Sequence, residues 1–152
     1  MGKEDTPMAS QTRLFGRYEM NIDAKGRLFF PAKQREKIEG SLLHVTRGLD
    51  DCLFAFTDTQ WDAFLEKIGT LPIAKARSME RYFVGNSNDA EMDEQGRIKI
   101  PAKLREIAGL EKEVTIVGLR ERLEIWDTAR WNAMNEELSG DEIAAMLEDM
   151  NF

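Results

Sequence analysis

The chain has 152 residues, 42% of them hydrophobic and 32% charged, with a formal net charge of −7 at pH 7 and one cysteine. That size fits one ordinary domain or two very small ones sharing a core; no stretch approaches the roughly 18 uninterrupted apolar residues of a membrane span, and Cys52, without a partner for an internal disulfide, fits a reducing, cytoplasmic setting. The acidic total argues against a nucleic-acid partner, yet residues 121–152 alone carry nine acids against two bases, whereas residues 13–37 hold seven bases against three acids.

The start, "MGKEDTPMASQT", is polar and lacks the apolar core of a signal peptide. Residues 1–13 are expected to form a flexible extension ahead of the first strand. "RYEMNI" alternates and is rich in strand formers, "DAKG" carries turn chemistry, and "RLFFP" reads as a second short strand. Asp23 is suited to accept backbone hydrogen bonds at the start of that turn, and Gly26 to adopt the positive φ of a tight hairpin. Pro31 fits the first turn of a helix, where its missing N–H costs nothing, and "AKQREKI" supplies that helix. "LLHVTRG" and "CLFAFT" follow as a strand pair bent at "GLDD", and Thr57 or Asp58 can cap the helix "TQWDAFLEKI". In "PIAKARSMERYFVG" the residues Ile73, Ala76, Met79 or Glu80, and Phe83 fall at near-helical spacing, which predicts a connecting helix.

The series then begins again. "NIDAKGRLFFPAKQRE" at residues 21–36 returns as "EMDEQGRIKIPAKLRE" at residues 91–106, and the same offset of 70 aligns Gly48 with Gly118, Leu53 with Leu123 and Trp61 with Trp131 without a gap. "GDEIAAMLEDM" closes the chain as an acidic amphipathic helix. The expected organisation is repeat 1 at 14–66, a connecting helix at 67–84, repeat 2 at 85–136 and an acidic helix at 137–152. Two copies are too few for a solenoid and more naturally form a pseudo-dimer about one axis. A unit this small buries little apolar surface alone, so the copies should interlock, and strand edges left over favour further association between chains.

Reagents for catalysis are scarce. His44, the one histidine, lies within a strand pattern, and Cys52 adjoins an apolar run, so both read as packed residues. The sequence has no zinc-type Cys/His cluster, no HExxH and no phosphate-cradling glycine motif. Asp23 and Asp93 are each followed four residues later by an arginine within a turn, which explains them without catalysis. The expectation is a protein that is not an enzyme and uses no metal or cofactor. The repeated hairpin instead offers a basic tip: Lys25 and Arg27 flank Gly26 and should face outward. A two-stranded ribbon can enter a major groove, with arginine gripping guanine and lysine touching phosphate. The bland alternative is a solvated turn holding an exposed Asp23–Arg27 ion pair. The second tip keeps Arg97 but has Glu94 and Gln95 where the first has Ala24 and Lys25, so the first repeat is expected to dominate any DNA contact.

"LFGRYEMNIDAKGRLFFPAKQRE" and "MDEQGRIKIPAKLRE" resemble the MraZ family of bacterial transcriptional regulators, whose two Asp-x-x-x-Arg motifs lie in tandem SpoVT/AbrB-like domains. The likeness runs over nearly the whole chain from Leu14, behind a leader longer than the family's usual start. It implies an α+β fold containing a swapped-hairpin β-barrel of the AbrB type, built here from two repeats in one chain. It also implies ring-shaped homo-oligomers in the cytoplasm, associated with the nucleoid, that bind repeated short G-rich elements upstream of the division and cell-wall gene cluster and repress transcription. Carried over by position, Asp23 and Arg27, then Asp93 and Arg97, are the motif residues. Lys25 is an added base beside the motif. The residues assigned to DNA are Lys25, Arg27, Arg97 and Arg17, with Arg97 either touching DNA or only closing its own hairpin; Asp23, Gly26, Asp93 and Gly96 are assigned to shaping the turns. Two other readings stay open: an AbrB-like antitoxin whose acidic tail wraps a toxin, and a ring-forming scaffold for a protein partner.

Overall fold

The computed structural model describes residues 14–151, so the expected extension at 1–13 lies outside the described residues. Two copies of one short unit are interleaved, strand by strand. β1 (Gly16–Asn21) pairs with β7 (Glu113–Gly118) of the other repeat, and β5 (Asn88–Glu91) pairs with β3 (Leu42–Arg47). β3 and β7 each pair with the strand that follows in their own repeat, β4 (Leu53–Phe56) and β8 (Leu123–Asp127). The result is an antiparallel sheet in the order β1-β7-β8-β4-β3-β5, accompanied by a separate two-stranded ribbon of β2 (Arg27–Phe29) and β6 (Arg97–Lys99). The fold is thus mixed α+β, and each repeat lends its opening hairpin to the other.

The registers locate the axis. In the ribbon Leu28 lies opposite Ile98, and in the centre of the large sheet Phe54 lies opposite Glu124. Each of these pairs joins positions 70 apart in sequence, so a pseudo-twofold passes between them. The relation is not uniform, however. Leu53 pairs with Arg47, whereas Leu123 pairs with Gly118, the counterpart of Gly48. β3 and β7 therefore correspond at an offset of 71, a slip the gap-free sequence alignment conceals. The extra residue sits in the β3–β4 turn, where Asp50 and Asp51 take positive φ (59° and 63°). In repeat 2 it is balanced by a longer connection ahead of β7, after α4 (Ala102–Ala108), which ends on the left-handed Gly109.

Alternating side chains send one set to each face of the sheet. Leu43, Val45, Leu53, Ala55, Val114, Ile116, Leu123 and Ile125 pack with Leu28, Phe30, Ile98 and Ile100 of the ribbon segments. On the other face Phe54, Phe56, Val117 and Trp126 lie beneath α2 (Asp58–Gly69) and α5 (Thr128–Glu136), joined by Phe83. β4 is consequently buried on both sides. Thr57, not Asp58, caps α2: its side chain accepts from the Gln60 amide at 3.3 Å, and Gln60 Oε1 accepts from the Thr57 amide at 3.1 Å. The connecting segment forms α3 (Ile73–Met79) and passes into a five-residue π-helical turn, Glu80–Val84, which delivers Phe83 to the aromatic layer. The closing acidic helix is α6 (Gly140–Glu148). Among the described residues no helix is long and apolar enough to cross a membrane.

Candidate nucleic-acid interface

The two Asp-x-x-x-Arg segments fold into matching turns. Asp23 Oδ1 accepts from the amides of Lys25 and Arg27, both at 2.9 Å, while Oδ2 accepts from Arg27 Nε at 2.7 Å. Asp93 Oδ1 accepts from the amides of Gln95 and Arg97 at 2.9 Å, and its Oδ2 from Arg97 Nε, also at 2.9 Å. The Arg27 amide, then the Arg27 guanidinium and the Lys25 amide, hold the Asp23 carboxyl below the usual carboxylate range. Asp93 is lowered in the same way, by the Arg97 amide first. Each arginine side chain stays one-third exposed (33%). With Nε engaged, the two Nη groups of each guanidinium have no hydrogen-bond partner among the described residues, and they are the pair of parallel donors a guanine edge accepts.

The glycines do more than bend. Gly26 has φ +82° and Gly96 φ +84°, and both are buried. A Cβ on Gly26 would lie 2.7 Å from Arg105 Nε of α4, and one on Gly96 would lie 2.5 Å from the Phe30 carbonyl oxygen and 2.6 Å from Arg35 of α1 (Ala32–Arg35). Backbone bonds complete the lock: Gly26 O accepts from Ile100 N and Gly96 O from Phe30 N, each at 2.8 Å. Arg35 Nη1 donates to Glu94 O at 3.1 Å, and Arg105 Nε to Ile100 O at 2.9 Å. Lys25 is exposed as expected, but the tip does not stand free; each turn is tucked beneath the helix of the opposite repeat.

What the structure brings together is the ribbon. Leu28 and Ile98 face the core, so Arg27, Phe29, Arg97 and Lys99 share its outer face, with Arg27 opposite Lys99 and Phe29 opposite Arg97. Arg27 and Arg97 are diagonal neighbours, about 7–8 Å apart by strand geometry. Phe29 is 46% exposed. Lys99 and Phe29 were not among the sequence-derived candidates, although the period-two alternation of "RLF" and "RIK" places them outward. Arg17 is not part of this surface: it sits at the far end of exposed β1, six residues and about 20 Å along the strand from Asp23.

The remaining chemistry-bearing groups are used internally. His44 stacks on Trp61 (ring centroids 5.2 Å apart) and is clamped by Asp89 at Nδ1 (2.8 Å) and Asp58 at Nε2 (2.6 Å), tying β5 of one repeat to α2 of the other. The two carboxylates lie on opposite ring nitrogens and do not converge, and no metal-type cluster is present among the described residues. Cys52 is buried, and desolvation pushes its thiol up to about 12.

Residues 14–80 and 83–151 each match the family model described as "MraZ protein, putative antitoxin-like". The chain is 44% identical over 143 residues to "Transcriptional regulator MraZ" of Thermoanaerobacter sp. (strain X514), an alignment covering 91% of this chain and 99% of that protein. Proteins of the same name from Halothermothrix orenii and Heliobacterium modesticaldum are each 44% identical over 141 residues, covering 90% of this chain and 98% of theirs.

Proposed function

The chain belongs to the MraZ family, and we propose that it is a transcriptional regulator that binds duplex DNA sequence-specifically through the outer face of the β2–β6 ribbon. One observation carries this reading: Arg27 and Arg97, each oriented by its own aspartate, share a single exposed face with Lys99. An exposed ion pair is worth at most about 1 kcal/mol, so the value of the two Asp–Arg pairs lies in aiming guanidinium groups. Arg27 and Arg97 read base edges, while Lys25 and Lys99 engage phosphates and fix register. Asp23, Gly26, Asp93 and Gly96 hold the turns. The acidic total is no obstacle, because the entire excess of seven acids over bases lies in residues 121–152, away from this ribbon in sequence.

In this proposal the protein acts in the cytoplasm, on the nucleoid, as a ring-shaped homo-oligomer. Its targets are repeated short G-rich elements upstream of the division and cell-wall gene cluster, where it represses. One ribbon grips weakly; several on one assembly meeting direct repeats gain through effective concentration.

The test is a binding titration with DNA taken from upstream of the protein's own gene. Arg27→Ala is expected to weaken binding about 10- to 100-fold, the loss of roughly 1–3 kcal/mol for one base-reading arginine, with the circular dichroism spectrum unchanged. Affinity should also fall steeply with salt. If an Arg27→Ala/Arg97→Ala double variant binds as tightly as the parent, the ribbon is not the DNA surface.

A further inference from the structure

Two features of the molecule are unused by this reading, and they are complementary. The first is a cavity of about 560 Å³ between β4, α2, the end of α3 and the β7–β8 turn. Its apolar wall is formed by Phe54, Phe56, Phe64, Ile68, Leu71 and Met79. Its charged lining is Lys67, Arg120, Arg122 and Glu121. Arg122 is held by Glu124, to which its Nε and Nη2 donate at 3.1 and 2.7 Å, so Lys67 and Arg120, sharing the one carboxylate of Glu121, carry the excess of positive charge. Lys67 Nζ lies 3.0 Å and Arg120 Nη2 3.2 Å from that one carboxylate.

The second is α6. Ile143, Met146 and Leu147 of the helix and Met150 in the turn just past its end recur at i, i+3, i+4 and i+7, the spacing of a packing stripe. No residue of the helix is buried, and Ile143, Met146 and Met150 are 41%, 61% and 70% exposed. The flanks of the stripe are purely acidic: Asp141, Glu142, Glu148 and Asp149, with no base from Leu138 to the end of the chain. A monomeric soluble protein rarely leaves such a stripe in water. In this molecule stripe and cavity stand open at the same time, so one chain does not satisfy both by itself.

We infer that α6 of one chain seats its Ile143–Met146–Leu147–Met150 stripe in the Phe54–Phe64–Met79 cavity of a second copy, its acids facing Lys67 and Arg120. The contact joins different surfaces on the two partners. It is therefore heterologous, and repetition yields a closed ring or an open filament according to the rotation between neighbours. The inference deepens the homo-oligomer part of the proposed function and rests on it, but not on the DNA surface, which lies on the other side of the ribbon segments' core. It gives the acidic tail a seat on a second copy of the chain, in place of a toxin.

The experiment uses the full chain. Light scattering at a fixed protein concentration is compared for the parent, Met146→Glu on the stripe and Ala63→Arg at the exposed edge of the cavity. Both variants are expected to fall to the mass of a single chain while keeping the parent's circular dichroism spectrum. In a Cys52→Ser background, chains carrying only Ala63→Cys are mixed with chains carrying only Met146→Cys and oxidised. A covalent dimer containing one of each is expected, and formation of it supports the seating. If the parent assembles and both variants keep its mass, or if oxidation of the mixture gives no covalent dimer joining Cys at position 63 of one chain to Cys at position 146 of another, the seating is wrong while assembly stands. If the parent is itself a single chain, the homo-oligomer reading falls together with this one.

Discussion

At Asp23 one carboxylate oxygen receives two backbone amides and the other an arginine side chain, and Asp93 repeats the arrangement. This role was legible in the sequence, because turn chemistry is local: Asp at the entry and Gly at the third position after it are enough to write the loop. That Gly26 and Gly96 are buried was not legible, since the atoms above them belong to the opposite repeat. The two glycines should differ in consequence. Alanine at either position strains a left-handed residue, at about 1–2 kcal/mol. At Gly26 the added methyl meets the movable end of Arg105, but at Gly96 it meets the Phe30 carbonyl. Gly96→Ala is therefore expected to lower the urea midpoint more than Gly26→Ala. Acid dependence follows from the same turns. Asp23 and Asp93 are lowered in the folded state, so they stabilise it above the ordinary carboxylate value of about 3.9 and lose that contribution as pH falls through their lowered folded values. An Asp23→Asn/Asp93→Asn variant should accordingly show a flatter decline of stability below about pH 4 than the parent, as read by urea melts across the acid range. The thiol of Cys52, held near 12 by burial, is expected to resist alkylation at pH 8 until the protein is unfolded, with mass spectrometry as the readout.

The elements themselves were mostly readable. Strand pairs, the helix after each Pro, and the helix opening at Thr57 all carry start and stop signals within a few residues. The choice between Thr57 and Asp58 as cap was open in sequence, and packing resolves it: Asp58 is drawn to His44, leaving Thr57 and Gln60 to close the box. Thr57→Ala is expected to cost about 1 kcal/mol, typical for a lost N-cap, measurable as a shift in the denaturant midpoint with unchanged slope. The slip between β3 and β7 was hidden because an extra turn residue in repeat 1 offsets a longer helix-to-strand connection in repeat 2. The π-helical turn at Glu80–Val84 was likewise unreadable. Helical spacing predicts Phe83 on the inner face, yet it does not say that the inserted residue is what rotates Phe83 onto Phe54, 6.0 Å away between ring centroids.

For the molecule as a whole, the doubled sequence and the small size of each unit implied interlocking, and the pairing of β1 with β7 and β5 with β3 bears that out. Residues 14–86 expressed alone lack the partners of β1, β2 and β3's outer edge. That fragment is expected to be unfolded by circular dichroism, and to regain structure on mixing with 87–152. The sequence did not reveal that the interleaving merges the two motif arginines onto one ribbon, because that depends on the crossing point of the axis, set by which strands meet. The crossing has a consequence for the proposed reader of DNA. A ribbon related to itself by a half-turn would present the same outline whichever way it lay along the duplex, and would suit a palindrome. Here the half-turn exchanges Phe29 with Lys99 and Lys25 with Gln95, so its two ends are chemically unlike. The molecule thereby carries a built-in heading, the property that tandem head-to-tail sites ask for and inverted ones do not.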